Sequence, residues 1–248
     1  MAILALFVMC TEAMAQDDDR EGPEAFLTLG ITANNEDQPM LAVEHLTRCI
    51  ELDPRHAHAF FQRGIAHGMM ILYDEALADF SQAISLDPFF ADALYSRGLT
   101  YNQRGQSAEA IRDFNEVIKL KPGNVGAYYM RAECYTKLGE TGMALRDWNE
   151  VIRVQPGNAN AYGNRAMIYF ENFQYSFALE DATHVIQLEP NVARHYFFRA
   201  MVLQLNAQVA NKPKDLKLAL ADYDFALTLD PKSVLLKTAR ELLLQDMK

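Results

Sequence analysis

Five prolines, Pro54, Pro88, Pro122, Pro156 and Pro190, stand 34 residues apart, and Pro231 follows after 41, one interval plus seven. An interval of this length, sustained along the chain, means copies of one structural unit, and it constrains the fold more than any local motif does. Other positions keep the same register. Twelve residues before each proline is an alanine: Ala42, Ala76, Ala110, Ala144, Ala178 and Ala219. Eight before it is a bulky residue in five copies, Leu46, Phe80, Phe114, Trp148 and Tyr223, with Ala182 in the other. Five before it is a small or β-branched residue: Cys49, Ala83, Val117, Val151, Val185 or Ala226. Earlier in each copy Phe26, Phe60, Leu94, Tyr128, Tyr162 or Tyr196 precedes a small residue by four: Gly30, Gly64, Gly98, Ala132, Ala166 or Ala200. The register defines six repeats, 23–56, 57–90, 91–124, 125–158, 159–192 and 193–231, the last with a seven-residue insertion.

Each repeat reads as two antiparallel helices. Apolar spacings of 3, 4 and 7 make one helical stripe, the small residues let two backbones approach, and the proline stops the second helix. Over residues 23–231 the pattern resembles the tetratricopeptide-repeat (TPR) family. The resemblance implies an all-α fold, a right-handed superhelical solenoid of antiparallel helix pairs, with protein partners rather than a reaction as its function. Residues 232–248 read as a capping helix, with Ser233 as N-cap and Val234, Leu235, Leu236, Ala239, Leu242 and Leu243 covering the last repeat. The insertion, around "NAQVANKPKDLK", lengthens the sixth hairpin. Its Lys212, Lys214 and Lys217 form the one local basic cluster, read as a surface extension or as a partner-specific contact.

An arginine also recurs at the interval, as Arg63, Arg97, Arg131, Arg165 and Arg199, and an aspartate as Asp79, Asp113, Asp147, Asp181 and Asp222. The first repeat lacks both, having Leu29 and His45 instead. Partners that appear and disappear together belong to the same repeat, so five ties between first and second helix are expected. Arginine suits the role because its planar fork matches a carboxylate at two points.

In the family the first helices line a concave face, and the resemblance implies that the fifth, ninth and thirteenth positions of each repeat face a ligand. The fifth positions are Leu27, Phe61, Tyr95, Tyr129, Gly163 and Phe197. The ninth are Ile31, Ile65, Leu99, Glu133, Met167 and Met201, and the thirteenth Asn35, Met69, Gln103, Lys137, Glu171 and Leu205. From these, the candidate groove is Phe61, Ile65, Met69, Tyr95, Leu99, Tyr129, Glu133, Met167, Phe197 and Met201. One family subtype holds the terminal carboxylate of chaperones with a lysine at position five, and no repeat here has one. An apolar or amphipathic segment, helical or extended, is the expected ligand. The position-five rings serve either ligand contact or packing between repeats.

A net charge of −10 excludes a nucleic-acid surface, which needs clustered Lys and Arg. Six histidines include one close pair, His56 and His58, with no third ligand in the local spacing, so no metal site and no cofactor is expected. No phosphate loop, nucleophile elbow or zinc-protease motif occurs, and an enzyme is not expected. Cys49 and Cys134 fall at core-like positions, and no disulfide framework is indicated. Residues 1–15, apolar from Ala2 to Met9 and ending in Ala13-Met14-Ala15, read as a signal peptide cleaved after Ala15, followed by an acidic linker at 16–22. That predicts a periplasmic or secreted protein, or a cytoplasmic one if the segment is no signal; lipidation at Cys10 is an alternative. No stretch approaches the roughly 20 apolar residues a spanning helix needs. The sequence therefore points to a non-enzymatic interaction scaffold that binds a protein or peptide partner. An assembly chaperone or pilotin-like envelope factor, and a regulatory or carrier subunit of an enzyme, are the alternatives.

Overall fold

The computed structural model describes residues 22–247, and the expectations for the signal segment, Cys10 and residues 16–21 lie outside them. Among the described residues there are thirteen helices and no strand. They are α1 (Pro23–Asn35), α2 (Pro39–Leu52), α3 (Ala57–Met69), α4 (Tyr73–Leu86), α5 (Ala91–Gln103), α6 (Ser107–Leu120) and α7 (Val125–Lys137). Then come α8 (Thr141–Val154), α9 (Ala159–Glu171), α10 (Tyr175–Leu188), α11 (Ala193–Ala210), α12 (Pro213–Leu229) and α13 (Val234–Asp246). The chain divides into two compact units, one ending at Ala127 and one beginning at Tyr128.

The proline acts where the spacing places it. α2 ends at Leu52 and α4 at Leu86, two residues before Pro54 and Pro88. Asp53 and Asp87 take extended conformations, as residues before proline do, and their side chains accept from the backbone N–H of Arg55 and Phe89 to close the turn.

In the first compact unit each helix packs on its neighbours in sequence, and the first helices also touch one another, α1 on α3 and α3 on α5. Leu46, Phe80 and Phe114 are buried between the helices of their own repeats. The glycine opposite is required by that packing: a Cβ on Gly98 would stand 2.8 Å from the Phe114 ring. In the second unit Trp148 and Tyr223 hold the same place opposite Ala132 and Ala200. Cys49 and Cys134 are buried and free, and burial, then Glu24 and Asp53, pushes the Cys49 thiol up to about 11.

The turn from first to second helix passes through a left-handed residue. Gly105 and Gly139 occupy it with φ of 75° and 74°, whereas Asp37, Ile71 and Phe173 occupy it with φ of 59°, 63° and 59°. A β-branched side chain is strained in that region, and Ile71 is 68% exposed, so it recovers little by packing. Ile71→Gly is expected to raise stability by about 0.5–1 kcal/mol, after glycine's greater unfolded-state freedom is subtracted. The urea midpoint measures it, and an unchanged or lower midpoint refutes it.

α11 and α12, at 18 and 17 residues, are longer than the 13 and 14 of α9 and α10, so the insertion extends both arms of the sixth hairpin. Lys212, Lys214 and Lys217 are exposed at its tip. α13 caps the second unit: Leu236 and Leu243 are buried, and Ser233 Oγ accepts from the Leu236 N–H. Val234, Leu235 and Leu242, expected to cover the last repeat, are instead 75%, 63% and 53% exposed, because they lie off the Leu236–Leu243 face. Glu241, exposed, stands where the other first helices carry Gly or Ala against their second helix.

Candidate functional site

The recurring charges are ties within repeats. In all five cases the arginine Nε donates to one carboxylate oxygen and Nη2 to the other, at 2.6–3.0 Å: Arg63 to Asp79, Arg97 to Asp113, Arg131 to Asp147, Arg165 to Asp181 and Arg199 to Asp222. The aspartates are buried and the arginines partly so. Hydrogen bonding to Asp113 raises the Arg97 pKa against the opposing effect of burial. Aromatic rings flank the guanidinium, as Tyr162 and Tyr169 do at Arg165. These five charges are committed to the fold.

The fork's remaining nitrogen reaches the preceding repeat, a role not deduced from the pairing pattern. Arg63 Nη1 donates to Thr47, Arg97 to Ser81, Arg165 to Asn149 and Arg199 to Thr183. Thr47, Ser81, Asn149 and Thr183 occupy one position of the repeat, so the signal lay in the same periodicity. Arg240 of α13 corresponds to Arg199, and no second helix follows α13 among the described residues. It donates instead to Asp224 of the preceding repeat, at the position where the others carry Thr, Ser or Asn.

The position-five rings are packed more than presented. Phe61 lies between Phe80 and Phe90, with ring centroids 6.0 and 4.8 Å away. Tyr95 faces Phe114 at 5.7 Å, and its hydroxyl sits 2.9 Å from where a Cβ of Gly126 would stand. Tyr129 meets Trp148 edge-on at 4.9 Å, and Phe197 meets Tyr223 at 6.0 Å. Burial raises the Tyr95 pKa; burial and Glu133 raise that of Tyr129 against a hydrogen bond with Asn164. All four rings stay partly accessible, as do Ile65 and Leu99, while Met69 and Met167 are 38% and 44% exposed. Glu133 borders a hollow of about 250 Å³ beside Trp148 and Asn164.

Three of the candidate residues come together in the second compact unit. Met167 of α9 and Phe197 and Met201 of α11 line a cavity of about 560 Å³, with Ala182 and Val185 of α10 also in its wall. Gly163 opens into it, and a Cβ there would meet nothing within 4 Å. Asn160, Asn164 and Arg194, with the Glu189–His195 pair closed at 2.7 Å, supply its polar lining. The volume is that of a small-ligand or side-chain pocket.

The other histidines are structural. His56 caps α3 by accepting from the Ala59 N–H and faces Glu24, His58 packs at a tilt against the Phe90 ring, and His67 joins Arg63 on Asp79. His56 and His58 are thus half-buried and partnered rather than free turn residues. Among the described residues no cluster of three or more His, Cys, Asp or Glu could hold a metal ion, and no helix is long and apolar enough to cross a membrane.

Two family models match the chain, the tetratricopeptide repeat at residues 91–124 and the TPR repeat at residues 73–103. With twelve of the thirteen described helices forming six pairs in the register of the repeat, the family is decided. This is a tetratricopeptide-repeat protein. Among solved structures the TPR chain is similar to YrrB, described as a TPR protein with an unusual peptide-binding site, at a TM-score of 0.68 and 21% identity over 80% of this chain and 99% of that one. It is also similar to MamA from Desulfovibrio magneticus RS-1, at 0.65 and 18% over 68% and 95%. A third similar structure is Pseudomonas aeruginosa PilF, at 0.66 and 16% over 88% and 96%. At these identities the likeness is one of fold. No curated protein matches the sequence. The TPR fold is that of a protein–protein interaction scaffold.

Proposed function

We propose that this TPR protein is a non-enzymatic scaffold that binds an apolar or amphipathic segment of a partner protein against its first helices. The observation that carries this is the cavity between α9 and α11, walled by Met167, Phe197 and Met201 at the ligand-facing positions of two consecutive repeats. Methionine and aromatic side chains in a cleft adapt to apolar ligands, with a few polar groups to orient the backbone. The Arg–Asp ties supply rigidity and take the strongest charges out of recognition. The similarity to YrrB, a TPR protein with a peptide-binding site, supports a peptide ligand.

Random dodecapeptides displayed on phage, selected against residues 16–248, test this. Recovered peptides are expected to share an apolar core and to bind the Met167→Glu/Met201→Glu variant at least tenfold more weakly by fluorescence polarisation. These methionines are chosen because truncating Phe61, Tyr95 or Tyr129 disturbs packing as well as binding. No enrichment, or equal binding to the variant, overturns the reading. The apolar start of the chain and Ala13-Met14-Ala15 support an exported form of this scaffold, with an assembly-chaperone or pilotin-like role as the second reading.

A further inference from the structure

We propose that the fifth repeat holds an anchor pocket for one large aromatic side chain of the partner segment, tryptophan by size; this rests on the segment-binding reading above. Four repeats fill the space between the fifth position of the first helix and their own second helix with two touching rings. The pairs are Phe61–Phe80, Tyr95–Phe114, Tyr129–Trp148 and Phe197–Tyr223, at centroid distances of 4.9–6.0 Å. The fifth repeat has Gly163 and Ala182 at these two positions. With both rings missing, the space between the two helices is left open. That space belongs to the cavity of about 560 Å³, which both residues line.

Packing does not ask for glycine here. At Gly98 a Cβ would collide with Phe114, while at Gly163 it would meet nothing, and glycine weakens a helix interior relative to alanine. What Gly163 and Ala182 do is leave room where the neighbouring repeats place a ring pair. A ligand ring entering there finds the surroundings that such a pair has elsewhere. Phe197 and Phe198 offer ring faces and edges, the Met167 and Met201 thioethers favour ring edges, and the Asn160 and Asn164 amides can accept from an indole N–H. Of the charged groups in the lining, Glu189 and His195 are already paired with each other, and Arg194 is exposed. Apolar cavities of about 150 Å³ already bind benzene, so this one has room for a two-ring system.

The probe is N-acetyl-L-tryptophanamide, titrated into residues 16–248 carrying ¹³C-methyl methionine, with N-acetyl-L-alaninamide as control. The expected result is a saturable shift of the Met167 and Met201 methyl resonances with the tryptophan probe, at least tenfold larger than with the alanine probe. The shift is expected to be lost in Ala182→Trp, which puts an indole in the pocket, and that variant is expected to melt no lower than the wild type. Gly163→Phe fills the same space from α9 and serves if Ala182→Trp is misfolded by circular dichroism. No shift at either methionine, or an unchanged shift in a folded filled variant, overturns the pocket. Selected peptides that bind a filled variant as tightly as the wild type overturn it too, while leaving the segment-binding reading intact. A wild type that takes the tryptophan probe but enriches no peptide overturns that reading and leaves the pocket standing.

Discussion

Asp113→Ala is expected to destabilise the third repeat by about 3 kcal/mol, the lower end of the cost of stranding one partner of a buried ion pair. Arg97 is one-fifth exposed and keeps its Nη1 bond to Ser81, so part of its charge stays solvated, which places the effect at that lower end. The loss comes from what remains: Nε and Nη2, which held Oδ2 and Oδ1 at 2.8 and 2.7 Å, are left between Tyr101 and the second helix with no acceptor. Replacing both partners, as Arg97→Met/Asp113→Leu, is expected to recover a large part of the loss, because no unpaired charge is then buried. In a repeat array the damage concentrates in the altered repeat and its neighbours. Hydrogen exchange of the α5 and α6 amides therefore reads it directly, alongside the urea midpoint. Wild-type protection in Asp113→Ala would show that the pair is incidental to stability.

Phe114→Ala is expected to cost about 3–5 kcal/mol, the range for truncating a fully buried aromatic. Phe114 is 0% exposed, closes against Gly98 and faces Tyr95. Its removal exposes Gly98, where no side chain can expand to fill the gap, and leaves Tyr95 without its inner neighbour. The variant places in the third repeat half of what the fifth has by nature, an alanine at the second-helix position. In the fifth repeat the space beside Ala182 is part of the open cavity instead. Thermal unfolding and the urea midpoint measure the effect, and a loss below about 1 kcal/mol would mean that the second-helix ring is dispensable to the repeat.

Much of this is readable from residue spacing, and particular residues show where reading stops. The joint absence of the arginine and the aspartate from the first repeat, which has Leu29 and His45 in their places, assigned each arginine to its own repeat, since a pair that is made or lost together must be local. The same comparison did not reveal the third bond of the fork, because Thr47, Ser81, Asn149 and Thr183 differ in identity and share only hydrogen-bonding capacity. The register separates Gly98, the small close-packing position, from Gly163, a fifth position, but only the structure shows that the first is forced by contact and that the second faces open space. Ile71 and Phe173 carry no sign of a left-handed turn; their place in the repeat, equivalent to Gly105 and Gly139, is the only clue.

The sequence alone determined the helix pairs, their ends, the small-against-large contacts and the salt-bridge partners, because all of these act within about one repeat and are locked to its interval. Only the tertiary structure decided what the position-five rings pack against and that Gly163 and Ala182 border one continuous cavity. Those outcomes depend on how consecutive helix pairs lean on each other and on whether neighbouring side chains relax into a vacancy. That is a matter of three-dimensional volume, which residue spacing along a chain does not encode.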